Sequence, residues 1–200
     1  MLKERETPFD DPAARFEAGR FGMWLFLLVL AVLFIASILG YLVVRIDNGA
    51  AFVPLDAPPP PKLLLLSTLA LVISSVTMQR AANAGKRGDP SQGGLMVVTM
   101  VLAVSFLAMQ AVAWSELLRQ NVTITDNLYA WSFYVLTGLH AAHVLGGLPP
   151  MAITCWRAIH GRYRPENHRG IVYTAMYWHF LDGVWIVLYA TLWLGSIRWV

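Results

Sequence analysis

Five ionisable or hydrogen-bonding residues stand where a soluble protein would rarely strand them. His140 and His143 are three residues apart inside one apolar run, and His179 and Asp182 are three apart inside another. Glu116 lies near the end of a third. A spacing of three puts both members of a pair on one helix face. Such groups are costly in hydrocarbon, so those that persist face protein or a water-filled cavity and have partners. Three chemistries suit the set: hydrogen bonding between helices, a proton relay, or a metal or heme site built on imidazole. The metal reading is the weakest, because the chain has one cysteine, Cys155, and no covalent heme motif. Cys155 reads as a packing residue.

The elements that must position these groups are membrane helices. Of the 200 residues, 57% are hydrophobic and 14% charged, against roughly a quarter charged in soluble domains. A spanning helix needs about 20 apolar residues. Five blocks qualify, at about 21–44, 63–79, 95–114, 128–156 and 171–194, following a polar tail over 1–20. The second is expected to end at Arg80. The expected fold is thus an all-α integral membrane bundle of five transmembrane helices, one membrane domain, with no signal peptide.

The polar connections support this division. The run Pro58 to Pro61 cannot continue a helix, and Asn83 to Pro90 is rich in turn formers. Asn121-Val-Thr123 matches a glycosylation triplet, read as a chance match in a short loop. Counting Lys and Arg on alternate sides gives Lys3, Arg5, Arg15, Arg20, Arg80, Lys86, Arg87, Arg157, Arg162, Arg164 and Arg169 on one side, against Arg45, Lys62, Arg119 and Arg198 on the other. The richer side is cytoplasmic, so the N-terminus is expected inside and the C-terminus outside. The same asymmetry makes the basic residues topology markers and removes nucleic acid as a partner.

At a rise of about 1.5 Å per residue, both polar pairs fall near the midplane. A His–Asp hydrogen bond between the fourth and fifth helices is the expectation. Gly138, Gly146 and Gly147 are expected to allow close helix approach, and Pro149-Pro150 to bend the fourth helix. Trp24, Trp114, Trp131, Trp156, Trp193 and Trp199 fall near helix ends, as interface anchors do. Trp178 and Trp185 lie deeper and read as packing residues.

Several stretches resemble subunit III of the heme-copper oxidases. They are Gly22-Met-Trp-Leu-Phe26, Ser74-Ser-Val-Thr-Met78, Phe106-Leu-Ala-Met-Gln110, Tyr134 to Gly147 with its two histidines, and Tyr177-Trp-His-Phe-Leu-Asp-Gly-Val-Trp185. They occur in family order, one per helix. Larger members have seven helices, and this chain resembles the short five-helix bacterial form. The resemblance implies a non-catalytic subunit of a proton-pumping terminal oxidase in the bacterial inner membrane. Its partners would be the catalytic heme-copper subunit I, other oxidase subunits and membrane lipids. No cofactor is expected on this chain itself. The resemblance implies heme and copper in the partner subunits, and family members often hold phospholipid in a cleft; whether this chain does is left open by its sequence. Where many members carry acidic residues, this chain has Leu30, Ala113 and Val172, which puts the proton role of those positions in doubt. Subunit III of a quinol oxidase, or an accessory subunit of a nitric oxide reductase, is therefore the alternative. A single-heme redox protein or a small transporter is more distant, since no pore ring or inverted repeat is visible.

Overall fold

The computed structural model describes residues 12–55, 57–58 and 61–197. Most of the polar tail, Asp56, Pro59 and Pro60, and Arg198 and Trp199 lie outside the described residues. Five long helices account for nearly all of the rest: α1 (Pro12–Asn48), α2 (Leu63–Arg87), α3 (Ser91–Arg119), α4 (Leu128–Ile159) and α5 (Arg169–Gly195). No β-strand occurs among the described residues; only a single bridge, Arg164 to Asn167, tightens the α4–α5 turn.

Every helix outruns its apolar block. α1 is already helical over residues 12–20, expected as tail. α2 continues seven residues beyond Arg80, to Arg87. Arg80 is exposed, and its long stem can carry the charge out to water without breaking the helix. The true stop is Gly88, whose left-handed backbone (φ 68°) only glycine adopts freely. The amide of Asp89 then bonds back to Ala84 O at 2.9 Å, closing the helix end. Asp89 Oδ1 accepts the Ser91 amide at 2.8 Å and launches α3. At the other connection the Asn127 side chain accepts the Ala130 amide at 2.8 Å and caps α4.

α2, α3, α4 and α5 close a ring in which each packs on its neighbours, with α2 and α3 the most extensive pair. α1 lies outside this ring against α5 and, more lightly, α4. The ring's centre holds Met78, Met96, Ala103, Phe106, Val144, Trp178 and Trp185, all fully or almost fully buried. Outward faces carry Leu65, Ile73, Val101 and Ile186 instead, as expected where lipid is the solvent. α1, α2, α3 and α5 are long and apolar enough to cross a membrane. α4 does not pass the same hydropathy measure, because two histidines, two prolines and three glycines dilute its 32 residues. It nevertheless packs between spanning neighbours and runs unbroken through Pro149 and Pro150.

Of the three glycines expected to permit close approach, Gly147 does so. A Cβ there would meet the Tyr177 ring at 2.5 Å. Gly146 faces open space, and Gly138 has only Trp114 at 3.8 Å. Trp24, Trp131, Trp156 and Trp193 are exposed, while Trp178 and Trp185 are buried.

One cation is spent on structure. Arg45, near the end of α1, is 3% exposed. Its guanidinium donates to Gly195 O (3.1 Å), Ile197 O (2.9 Å) and Gly49 O (2.6 Å). Gly195 and Ile197 lie at the end of α5, where a helix leaves carbonyls without an amide partner, while Gly49 O also accepts the Phe52 amide. It also lies 5.2 Å over the Phe52 ring. Arg45→Met should therefore lower stability in detergent by about 2 kcal/mol, because buried carbonyls lose their donors; thermal unfolding measures it.

A second expectation concerns the α3–α4 loop. Asp126 accepts from the amide and hydroxyl of Thr123, and the amide bond holds its carboxyl below the usual carboxylate range. A depressed folded value means that its contribution is present above the unfolded carboxylate value and is lost as pH falls through the folded one. The Thr123 amide should lose hydrogen-exchange protection, relative to intrinsic exchange, only in that acidic window.

Candidate functional site

The polar groups of the bundle meet on the face between α2 and α5. Seven residues are two helical turns, so Trp178 and Trp185 share one face of α5, while Thr68 and Ser75 share one of α2. The helices run antiparallel, and the pairs fall in register. Trp185 donates its indole N–H to Thr68 Oγ1 (2.9 Å), and Trp178 donates to Ser74 Oγ (3.0 Å). One position on, Ser75 Oγ lies 2.7 Å from His179 Nδ1, and His179 Nε2 lies 3.0 Å from Gln79 Oε1. With Nε2 carrying the proton, the ring donates to Gln79 and accepts from Ser75. The Gln79 amide in turn donates to Asn83 Oδ1 at 3.1 Å.

Other faces use the same device. α2 meets α3 through Gln110 to Ser67 (3.1 Å) and the Thr77–Thr99 hydroxyl pair (2.8 Å). α4 meets α5 through Thr154–Thr174 (2.8 Å) and the Tyr177 hydroxyl donating to His143 O (2.8 Å).

The expected hydrogen bond between the two polar pairs does not form. His140 is fully buried among rings, with Phe106 edge-on at 5.8 Å, Trp185 at 5.1 Å and Phe34 at 6.2 Å. Neither of its ring nitrogens has a hydrogen-bond partner among the described residues. His143 turns toward α1, 5.0 Å from Phe34, and its Nδ1 lies 2.8 Å from Leu139 O on its own helix. His179 serves α2 instead of α4. Asp182 is 4% exposed, and neither carboxyl oxygen has a hydrogen-bond partner among the described residues. The nearest ionisable atom recorded for it is His179 Nδ1, 4.0 Å from Oδ2. The physical reason is rotational. Depth along a helix places two pairs at one level, but which way α4 and α5 turn is set by the large indoles seated on α2. Glu116 is exposed and stands ten residues beyond Phe106, roughly 15 Å along α3, outside the cluster.

Residue-by-residue reading of the apolar blocks missed Thr68, Ser75 and Gln79 as partners, and missed the Arg45 clamp. The seven-residue echo of Ser67-Thr68 in Ser74-Ser75, matched by Trp178 and Trp185, was the available signal. Among the described residues no group of three His, Cys, Asp or Glu side chains is placed to hold a metal ion.

Between α1, α4 and α5 runs an apolar groove of about 370 Å³, lined by Met23, Phe26, His143, Gly146, Pro150 and Tyr177 among others.

A helical bundle with an apolar outer surface and several of its polar side chains paired between helices is an integral membrane protein. Within that class the chain belongs to the cytochrome c oxidase subunit III family, whose sequence model matches residues 11–197. It is similar to proteins named cytochrome c oxidase subunit 3 from several organisms. The relative from Formosania lacustris is 37% identical over 145 residues, 72% of this chain and 53% of that protein. That from Heterololigo bleekeri is 33% identical over 187 residues, 88% of this chain and 70% of that protein. That from Synechocystis sp. is 34% identical over 180 residues, 87% of this chain and 74% of that protein. The chain thus spans about half to three quarters of the length of these curated relatives.

Replacing Thr68 by Val keeps the shape and removes the Trp185 acceptor. It should cost about 1 kcal/mol for an unpaired buried indole N–H. Thr191→Val, on an exposed position whose hydroxyl bonds only its own helix, should change stability little. Unfolding the two variants in detergent or bicelles measures the difference.

Proposed function

We propose that this chain is the non-catalytic subunit III of a proton-pumping heme-copper terminal oxidase of the cytochrome c oxidase type. In this reading it lies in a bacterial cytoplasmic membrane, N-terminus inside, and docks on the catalytic subunit I. It stabilises that subunit and assists its proton or oxygen supply, with heme and copper held by the partners. The observation that carries the reading is the match to the subunit III family along residues 11–197. Relatives that bear the cytochrome c oxidase name favour a cytochrome c oxidase over a quinol oxidase.

The buried polar residues agree with a supporting subunit. Ser74, Thr68, Gln110 and Thr154 are consumed in helix-to-helix bonds. Bonds of this kind contribute about 0.6 kcal/mol each on average in a membrane. Leu30 and Ala113 are buried apolar side chains, so those two positions offer no proton-carrying group. A phospholipid acyl chain is the ligand that suits the α1–α4–α5 groove in size and apolar character. Arg20, bound to Glu17 at 2.9 Å, lies just before the α1 residues that line it.

Two measurements test this. The complex purified from native membrane should show heme redox difference spectra that leave with a larger partner when subunits are separated. Heme retained by this chain alone would overturn the reading. Gly146→Leu places a branched side chain on the groove wall, where nothing lies within 4 Å of an added Cβ. It should reduce phospholipid retained per chain, as read by native mass spectrometry.

A further inference from the structure

Asp182 is a buried carboxyl that the helix-to-helix bonding does not use. Both its oxygens are enclosed, and neither has a hydrogen-bond partner among the described residues. A buried polar group left in that condition costs stability, and an ionisable one inside a membrane marks a functional site by default. The ionisable side chains of the helices packed around it at this level are His179 on α5 and His140 and His143 on α4; α1 and α2 present none there. Among the described residues its ion-pair contact is with His179, which is a cation only when protonated.

What does stand beside it is a hydrogen-bonded series leading away. Asp182 Oδ2 lies 4.0 Å from His179 Nδ1, the atom on which Ser75 Oγ sits at 2.7 Å. The far side of the same ring reaches Gln79 at 3.0 Å, and Gln79 reaches Asn83 at 3.1 Å. Gln79 is exposed and is followed at once by Arg80. That stretch of α2 is the expected inner end of the span. The series therefore runs from a closed carboxyl in the core to a polar edge.

We propose that Asp182, Ser75 and His179 form a proton-exchange path between the bundle core and the inner membrane surface, with Asp182 as its buried proton-holding end and Gln79 and Asn83 as its mouth. Outward, the carboxyl proton passes to Ser75 Oγ as the Ser75 hydroxyl proton passes to His179 Nδ1, giving an imidazolium. The Nε2 proton then leaves to water at the Gln79 edge. The products are an Asp182 carboxylate, a neutral His179 and a protonated water. Loading reverses these steps: water at the Gln79 edge protonates Nε2, the Nδ1 proton passes to Ser75 Oγ, and the Ser75 hydroxyl proton passes to the Asp182 carboxylate, with the ring staying in place. The step requires the Ser75 hydroxyl, seated on His179 Nδ1, to turn toward the Asp182 carboxyl, which lies 4.0 Å from that same nitrogen. The proposal deepens the proton-supply part of the function above and rests on that reading for its purpose, whereas the exchange itself depends only on these side chains.

Hydrogen–deuterium exchange of the carboxyl, followed by infrared spectroscopy on the protein purified from native membrane with its partners, tests the path. The wild type should show a protonated-carboxyl C=O stretch that is missing in Asp182→Asn and that shifts promptly in D2O. In Ser75→Ala and His179→Phe the shift should slow by about tenfold or more, a rise in barrier of ~1.4 kcal/mol. Ser75→Thr keeps the hydroxyl and should exchange at the wild-type rate, which separates a broken path from a disturbed fold. The absence of a carbonyl stretch dependent on Asp182 would overturn the proposal. So would unchanged exchange in both Ser75→Ala and His179→Phe, or slow exchange in Ser75→Thr. Heme retention in the same preparation reports separately on the oxidase assignment.

Discussion

Inside a bilayer an indole N–H, a hydroxyl or an imidazole has no water to fall back on, and it must find its partner on another helix or on its own backbone. In this bundle the requirement is met chiefly on the face where α5 presents Trp178, His179 and Trp185 and α2 presents Thr68, Ser74, Ser75 and Gln79. The indoles are large, and each has a single donor, so their pairing fixes both the rotation of α5 and its height against α2. Once α5 is turned that way, Thr174 faces Thr154 on α4 and Tyr177 reaches the His143 carbonyl. Asp182 is carried into the core by the same rotation.

Tyrosine and arginine finish what the indoles begin. The Tyr177 ring rests on Gly147, and the Tyr41 hydroxyl rests on Gly195, each letting a second helix close in where any Cβ would hold it away. Arg45 ties α1, which lies outside the four-helix ring, to the end of α5. Between these fastenings α1 is loosely seated, which is why apolar grooves flank it. At its other end the Tyr173 hydroxyl of α5 donates to Phe16 O at 3.0 Å and its ring stacks on Phe16, so α1 is held at both ends with open flanks between, which suits a helix whose remaining surface meets lipid.

The contrast between His140 and His179 shows how the core divides its polar groups. His179 is bound on both ring nitrogens, and that holds its ring in place. His140 is held by ring contacts alone, between Phe106, Trp185 and Phe34. Two histidines thirty-nine positions apart, each alongside an aromatic-rich segment, thus do different things because only one of them faces a polar helix.

What the amino-acid order by itself determined is the class and the number of elements. Five apolar blocks separated by Pro58–Pro61, by Gly88-Asp89-Pro90, by Asn127 and by the basic stretch of residues 160–168 read as helices, because hydrocarbon forbids an open backbone and the blocks are too long for barrel strands. The motifs along them were also enough to mark the family. Helix ends were less legible: Arg80 looked like a boundary, yet α2 continues to Gly88, because an arginine interrupts apolarity without interrupting the backbone. The candidate site was legible as a set of residues and illegible as a set of partners. His140, His143, His179 and Asp182 announce themselves by being polar in apolar runs, but their depths constrain only one coordinate. The rotation of each helix decides which groups touch, and it is settled by the tertiary packing of Trp178 and Trp185 against α2, through contacts about a hundred residues apart in the chain.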